Sequence, residues 1–402
     1  MNILFLTENE ISPLQGGTER ITHTLAQEFM ERGLNCFSAW CIPCTMPVVS
    51  NFSGKQRIEE GKEETALNSF IKKNKIDIVI CNLVNIKYKR ILLPAVYRVT
   101  RNTATSVVAC YHAMPGEELI GNTLRSSLYR ISRGRNITEN LKDVLLSLTP
   151  DLLLKTLFRK YIRDRYRLMY DNCDKLVLLS DSFHDEFATL GEIETDDKFC
   201  TIHNALSFDT FLKPEDIGKK EKTVMMLSRM DEKSKRITLA LRVWKKVNLS
   251  GNHEEWKLVL VGGGADLDWF KKIAKRMRLR NISFKGRQEE IMPYYKNASI
   301  FMLTSAYEGW GITLTEAQQN GVVPIAFNTY ASLRDIIDDG KNGIIVQRDD
   351  IRAFADRLMW LMDHKTRREE MARAGLESSQ RFQTPVIADK WIDLFKSLTQ
   401  SL

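Results

Sequence analysis

The sequence lacks a long uninterrupted apolar run. Its longest apolar stretch, residues 144–158, is broken by Pro150, Asp151 and Lys155, and its first residues enter a strand-like pattern without a preceding basic region. A membrane-spanning helix needs about 20 mostly apolar residues, and a secretory signal begins with a basic segment. We therefore expect neither a transmembrane helix nor a signal peptide, and we expect a cytoplasmic location.

The sequence also lacks a regular cysteine framework. It contains seven cysteines, an odd number scattered through apparent strands, which favours a reducing compartment over disulfides. Residues 40–44, Trp-Cys-Ile-Pro-Cys, match a thioredoxin-type redox motif, which must open a helix. Pro47 and β-branched residues follow where that helix would begin, so we interpret the match as coincidental.

Metal-ligand spacing and nucleic-acid-binding motifs are missing as well. No cluster of His, Cys and Asp has the spacing of a metal site, and no recognised nucleic-acid-binding motif accompanies the basic charge. We expect no metal ion, no other cofactor and no nucleic-acid partner.

Positive charge is concentrated in one segment. The formal net charge is +8, and residues 125–167 hold eleven Lys and Arg against four Asp and Glu, interleaved with apolar residues at helical spacing. One interpretation is a solvated helical insertion over about residues 116–170. The other is an amphipathic surface that rests on anionic lipid at the inner face of the membrane. The charge pattern leaves both open.

Strand-like and helix-like segments alternate along the chain, which indicates mostly parallel sheets. The length of 402 residues exceeds what one core usually covers, so we expect two domains, residues 1–206 and 223–384, joined by a polar linker at 207–222. Residues 385–402 are predicted to form a helix that crosses back to the first domain. The predicted strands are 3–6, 76–81, 106–111, 175–180, 200–203, 223–227, 256–261, 282–285, 300–303 and 324–327.

Two glutamates flank a glycine-containing segment that follows the predicted strand 300–303. Glu308 stands in the loop, and Glu316 stands in a helix predicted to begin at Ile312. Gly309 and Gly311 allow the backbone to turn sharply, and helix N–H groups attract an anion. Carboxylates accept hydrogen bonds from hydroxyls, so the pattern suits a nucleotide sugar. The alternative is two solvated carboxylates that the helix dipole favours.

Further sequence motifs occur in a consistent order along the chain with this pair of glutamates. They are Leu227-Ser228-Arg229 with Lys235, residues 258–264, residues 282–287, residues 305–311, and Glu316-Ala317 with residues 321–326. On these residues the chain closely resembles the family 4 retaining glycosyltransferases of GT-B fold, the glycosyl transferases group 1. The resemblance runs over nearly the whole chain and is strongest from Val224 to Val346. It implies an α/β fold with two Rossmann-like domains facing across a deep cleft.

The resemblance also implies roles for individual residues. Glu308 contacts the donor sugar and Glu316 the ribose, while Arg229 and Lys235 hold the diphosphate and stabilise it as it leaves. His112 lies beside the donor sugar. The implied catalytic residues are Glu308, His112, Arg229 and Lys235, and the implied donor-binding residues are Gly16, Gly17, Arg229, Lys235, Gly286, Arg287, Glu308, Gly309, Trp310, Gly311, Ile312 and Glu316.

The activity that the resemblance implies is transfer of a hexosyl group, with retention, from a nucleotide diphosphate sugar to a hydroxyl. A UDP-sugar is favoured as donor, and a glycan or lipid-linked glycan of cell-surface polysaccharide biosynthesis as acceptor. The alternatives are a nucleotide-sugar epimerase, a non-catalytic membrane-associated binding protein, and an NAD-dependent oxidoreductase. The glycine run 262–264 lacks the third glycine of the dinucleotide fingerprint, which counts against the oxidoreductase.

Overall fold

The computed structural model describes residues 1–14, 16–46, 51–120, 151–195 and 197–399. The chain divides into two compact units, Met1–Ser207 with Gln383–Leu402, and Phe208–Phe382. Each unit is built on its own parallel sheet. Within the described ranges, no helix combines the length and the apolar character that crossing a bilayer requires.

The first unit contains a seven-stranded sheet in the order β3-β2-β1-β4-β5-β6-β7. Its strands are β1 Asn2–Asn9, β2 Asn35–Ile42, β3 Gly54–Arg57, β4 Ile78–Asn82, β5 Ser106–Tyr111, β6 Lys175–Leu178 and β7 Phe199–Thr201. Its helices are α1 Gly17–Glu31, α2 Glu63–Asn74, α3 Ile86–Thr100, α4 Glu117–Ile120, α5 Asp151–Asp171 and α6 His184–Gly191. Every residue of β4 and β5 is buried, as in parallel sheets that are covered on both faces.

The second unit contains a six-stranded sheet in the order β10-β9-β8-β11-β12-β13. Its strands are β8 Thr223–Leu227, β9 Lys257–Val261, β10 Ile282–Phe284, β11 Ile300–Leu303, β12 Val323–Phe327 and β13 Ile344–Val346. Its helices are α7 Glu232–Lys235, α8 Ile237–Ser250, α9 Leu267–Arg276, α10 Met292–Asn297, α11 Ile312–Gln319, α12 Leu333–Ile336, α13 Ile351–Asp363 and α14 Lys365–Ser379. Trp244, Trp256 and Phe354 lie in its core.

The last helix, α15, spans Thr384–Thr399 and belongs to the first unit. It packs on α1, where the rings of Phe29 and Phe395 are 5.5 Å apart. Arg32 Nη1 lies 2.5 Å from Asp389 Oδ1 on the same side. Both phenylalanines are fully buried, so the end of the chain completes the core of the unit in which the chain begins.

Three strands were missed by the sequence reasoning. β2 includes the first residues of the Trp-Cys-Ile-Pro-Cys string, β3 is the polar edge segment Gly-Lys-Gln-Arg, and β13 has three residues. No helix begins in the described residues 43–46, as the redox motif would require. Burial raises the pKa of the Cys41 thiol to about 11, with the charges of Glu63 and Glu60 adding to the effect, so this thiol is not activated.

The basic segment 125–167 lies largely outside the described residues, and its described side chains begin at Arg159. In this part of α5 the apolar face packs inside the first unit, through the buried side chains of Ile162, Tyr166 and Met169. Its arginines contact protein acceptors: Arg159–Glu192 at 3.3 Å, Arg163–Glu192 at 3.5 Å and Arg165–Glu118 at 2.8 Å. The interpretation of residues 125–167 as a lipid-facing surface rests mainly on residues outside the described ranges, and it stays a prediction.

Candidate functional site

Two backbone turns meet at the carboxyl ends of β8 and β9. Gly262 has φ +135°, and a Cβ there would stand 1.9 Å from the carbonyl oxygen of Ser228. A Cβ on Gly264 would stand 2.5 Å from the carbonyl oxygen of Met230. Only glycine permits so close an approach. Arg229 lies in this turn, and its exposed side chain makes no hydrogen bond or ion pair with any residue that the structure describes.

Gly286 and Arg287 lie at the same edge of the sheet. The carbonyl of Gly286 accepts a hydrogen bond from the N–H of Gly262 at 2.8 Å. A Cβ on Gly263 would stand 3.3 Å from the Cβ of Arg287. The backbone of Gly286 and Arg287, which the resemblance assigned to donor binding, therefore lies beside the turn that carries Arg229.

We expect Gly262→Ala to lower the free energy of unfolding by about 3 kcal/mol or more, because the added methyl cannot clear the Ser228 carbonyl. Gly251→Ala is the matched control, since Gly251 also has positive φ (+75°) but no atom within 4 Å of an added Cβ. It should cost only about 1–2 kcal/mol of left-handed strain. Urea unfolding of both variants makes the comparison, and equal losses would contradict the close contact at Gly262.

Lys235 and Glu308 meet although 73 positions separate them in the chain. Lys235 Nζ lies 2.5 Å from Glu308 Oε1, and each side chain is 16% exposed. The same oxygen accepts a hydrogen bond from Ser305 Oγ at 2.6 Å. The structure thus pairs the cation assigned to the diphosphate with the carboxylate assigned to the sugar.

The backbone of helix α7 is held against the loop after β11. The N–H of Ala306 donates to the Ser234 carbonyl at 2.7 Å, and Thr304 Oγ1 donates to the Lys235 carbonyl at 2.9 Å. Asp231 caps the helix by accepting from the N–H of Lys233 at 3.1 Å. These bonds hold the short helix in the position from which Lys235 reaches Glu308.

Helix α11 begins at Ile312 without a capping side chain, because its N-cap is Gly311 with φ +89°. Upstream, the Gly309 carbonyl accepts from Ser332 Oγ at 3.0 Å. The indole of Trp310 is buried against the Phe382 ring, 5.3 Å between centroids. A helix start with no side-chain cap suits an anionic ligand.

Glu316 lies inside the second unit and is 1% exposed. Its Oε2 accepts a hydrogen bond from the hydroxyl of Tyr295 at 2.7 Å. Tyr295, from helix α10, is itself fully buried. A hydroxyl donor from a neighbouring helix therefore fixes the orientation of the carboxylate that the resemblance assigned to the ribose.

Gly16 and Gly17 stand at the start of α1 in the first unit. Gly16 is an extended N-cap residue whose carbonyl accepts from the N–H of Arg20 at 3.0 Å. No side chain caps α1 either. This helix start follows β1, at the carboxyl edge of the first sheet, where ligands of parallel sheets bind.

His112 follows β5 at the same edge and is oriented by a chain of hydrogen bonds. Thr22 Oγ1, in α1, donates to the Thr18 carbonyl at 2.8 Å and accepts from Asn82 Nδ2 at 2.9 Å. Asn82 Oδ1 lies 3.2 Å from His112 Nε2, so the imidazole proton resides on Nε2. The buried Nδ1 has no hydrogen-bond partner in the described part of the chain, which leaves it as an acceptor.

The environment of His112 predicts an acid-dependent loss of stability. Burial, with the positive charge of Lys89 adding to it, lowers the pKa of His112 from 6.5 to about 4. Between these values the unfolded chain binds a proton that the folded protein does not, so stability falls as the pH falls through this window. From pH 7 to pH 4 the wild type should lose about 3 kcal/mol more free energy of unfolding than His112→Gln. Urea unfolding across this range tests it, and parallel curves would contradict the burial of a neutral ring.

Several site residues gave no signal in the sequence. Asn82 and Thr22 orient His112, Tyr295 orients Glu316, and Ser305 shares Glu308 with Lys235. Each is a common residue type inside an ordinary strand, helix or loop. Their roles come from contacts between distant segments, which no local pattern indicates.

No group of three or more His, Cys, Asp or Glu side chains that could hold a metal ion occurs in the part of the chain that the structure describes. Metal independence stays a prediction.

Known proteins resemble this chain in its fold and in part of its sequence. The chain superposes on Anabaena Alr3699/HepE in complex with UDP-glucose with a TM-score of 0.69 and 16% identity, covering 99% of this chain and 100% of that chain. Residues 207–378 match the family model described as glycosyl transferases group 1. This chain has the GT-B fold. The matched segment contains Arg229, Lys235, Glu308 and Glu316.

Curated proteins that are similar to this chain align with it over part of their length. The chain is 28% identical over 201 residues to a poly(ribitol-phosphate) alpha-N-acetylglucosaminyltransferase of Staphylococcus aureus, covering 49% of this chain and 40% of the relative. It is 24% identical over 232 residues to a GalNAc-alpha-(1->4)-GalNAc-alpha-(1->3)-diNAcBac-PP-undecaprenol alpha-1,4-N-acetyl-D-galactosaminyltransferase of Campylobacter jejuni, covering 57% and 61%. The chain thus spans about half the length of these relatives.

Proposed function

We propose that this protein is a retaining family 4 glycosyltransferase that moves a hexosyl group from a UDP-sugar to an acceptor hydroxyl. The contact between Lys235 and Glu308 carries the proposal, because an ammonium group suited to phosphate and a carboxylate suited to sugar hydroxyls lie 2.5 Å apart. The uncapped start of α11 and the exposed Arg229 add positive potential for a diphosphate at the same strand ends.

The names of the similar proteins support the substrate classes. The solved structure of Anabaena Alr3699/HepE contains UDP-glucose, and the two curated relatives act on poly(ribitol-phosphate) and on an undecaprenol-linked glycan. We propose a glycan or lipid-linked glycan of cell-surface polysaccharide biosynthesis as acceptor, with the reaction at the cytoplasmic face of the membrane. Sedimentation with anionic vesicles tests the proposed membrane contact of residues 125–167.

In the proposed mechanism, the acceptor oxygen bonds to the anomeric carbon on the face from which the diphosphate leaves. The acceptor proton passes to the leaving phosphate oxygen, so no protein carboxylate is needed as nucleophile. Lys235 and Arg229 stabilise the negative charge that develops on the diphosphate, without a metal ion. Glu308 accepts a hydrogen bond from a sugar hydroxyl.

The decisive experiment combines binding and stereochemistry. Calorimetric titration with UDP, GDP, ADP and NAD in the presence of EDTA identifies the nucleotide, and we expect UDP alone to bind. NMR of the first sugar released from UDP-glucose then reports its anomer, and the α anomer is the expected result. Binding of NAD alone, release of the β anomer, or conversion of the donor into an epimer would each contradict the proposal.

A further inference from the structure

Tyr330 carries a buried hydroxyl that the proposed reaction leaves unexplained. The residue is 4% exposed, and its hydroxyl has no hydrogen-bond partner among the described residues. A buried polar group without a partner costs about 1–3 kcal/mol. The neighbouring side chains do bond to the glutamate loop, since Thr329 Oγ1 donates to the Ser305 carbonyl at 2.8 Å and Ser332 Oγ donates to that of Gly309 at 3.0 Å.

The hydroxyl of Tyr330 lies against the loop that carries Glu308. A Cβ on Gly311 would stand 2.8 Å from the Tyr330 oxygen. Burial raises the pKa of Tyr330 well above its ordinary value, and the negative charge of Glu308 raises it further. Tyr330 is therefore a protonated donor close to a carboxylate.

Glu308 has an unused oxygen in this structure. Lys235 Nζ and Ser305 Oγ both bond to Oε1, at 2.5 and 2.6 Å. Oε2 accepts no hydrogen bond from the residues that the structure describes. The Tyr330 hydroxyl, in the loop after β12, lacks an acceptor among the described residues, and Glu308 Oε2, in the loop after β11, lacks a donor among them. The two loops are in contact.

We propose that Tyr330 is a positioning residue. Its hydroxyl donates a hydrogen bond to Glu308 when the ammonium group of Lys235 moves from Glu308 to a bound nucleoside diphosphate. The inference rests on the proposed function, because Lys235 leaves Glu308 only if it moves to a phosphate. A carboxylate that is 16% exposed and loses its cation pays a desolvation cost that its Ser305 bond alone does not offset. Donation from Tyr330 to Oε2 supplies a second charge-assisted hydrogen bond. Glu308 then stays in place for a sugar hydroxyl while Lys235 serves the leaving group.

A double-mutant cycle on UDP affinity tests this exchange. Calorimetry with UDP is performed on the wild type, Tyr330→Phe, Glu308→Gln and the double variant. We expect Tyr330→Phe to weaken UDP binding about tenfold in the wild-type background, because a hydrogen bond to a charge is lost only in the bound state. In the Glu308→Gln background the same change should have no effect, because no charge is left unpaired.

Urea unfolding without nucleotide provides the control. Tyr330→Phe should leave the ligand-free protein as stable as the wild type or more stable, since the hydroxyl has no partner there. Equal weakening of UDP binding in both backgrounds, no weakening in either, or a destabilised ligand-free variant would overturn the inference. A wild type that binds no UDP would overturn the proposed function, and this inference with it.

Discussion

Replacing Lys235 with methionine should lower kcat for sugar transfer about a thousandfold while changing KM for the UDP-sugar far less. In the ligand-free site the Lys235 ammonium lies 2.5 Å from Glu308 and has a phosphate as its assigned partner in the reaction. Negative charge on that phosphate grows as the glycosidic bond breaks, so the cation stabilises the transition state more than the bound donor. Methionine retains most of the length of the side chain and removes the ammonium group with its charge and its hydrogen-bond donors.

Lys233→Met is the matched control for this effect. Lys233 lies on the same short helix, is exposed, and uses its backbone N–H rather than its ammonium in the cap with Asp231. The loss of this charge should change kcat by less than about twofold, because exposed charges are screened by water and salt. The kcat and KM of both variants are measured from the rate of UDP release from the UDP-sugar. Similar losses in the two, or a loss confined to KM for Lys235→Met, would show that Lys235 does not act on the leaving group.

Glu316→Gln should weaken UDP binding about a hundredfold if UDP binds as proposed, because the carboxylate assigned to the ribose hydroxyls becomes an amide that offers one oxygen fewer. The group is 1% exposed and already accepts from Tyr295, so it cannot turn to water to compensate. Tyr295→Phe retains the carboxylate and removes only the hydroxyl that orients it. That variant should lose about tenfold in affinity.

Binding of deoxynucleotides distinguishes the loss of a ribose contact in Glu316→Gln from a general loss of structure. The wild type should bind 2′-deoxy-UDP or 3′-deoxy-UDP more weakly than UDP, whereas Glu316→Gln should bind UDP and the affected deoxy form equally. Calorimetry measures both proteins with each of the three nucleotides, and circular dichroism verifies that the variant is folded. If the wild type does not discriminate against either deoxy form, Glu316 is a structural acid held by Tyr295 and not a ribose ligand.

The sequence was informative where structure depends on neighbours along the chain. Apolar runs such as Ile300–Leu303 and glycines such as Gly309 and Gly311 specify a buried strand and a sharp turn, and the structure confirms both. The polar edge strand β3 was not predictable in this way, because Gly-Lys-Gln-Arg has no apolar alternation and pairs with β2 only once the sheet exists.

The partners of the site residues required the fold. Glu308 and Lys235 are 73 positions apart, Glu316 and Tyr295 are 21 apart, and His112 and Asn82 are 30 apart. Their contacts depend on which strands pair and on how the helices pack on them. The packing also excludes water, which strengthens each hydrogen bond. The sequence by itself determined the α/β alternation and the positions of the strand-end turns, since these follow from periodicity and backbone preference. Only the tertiary structure decided that Lys235 pairs with Glu308, that Glu316 is buried, and which nitrogen of His112 remains an acceptor, because those properties come from packing between distant segments.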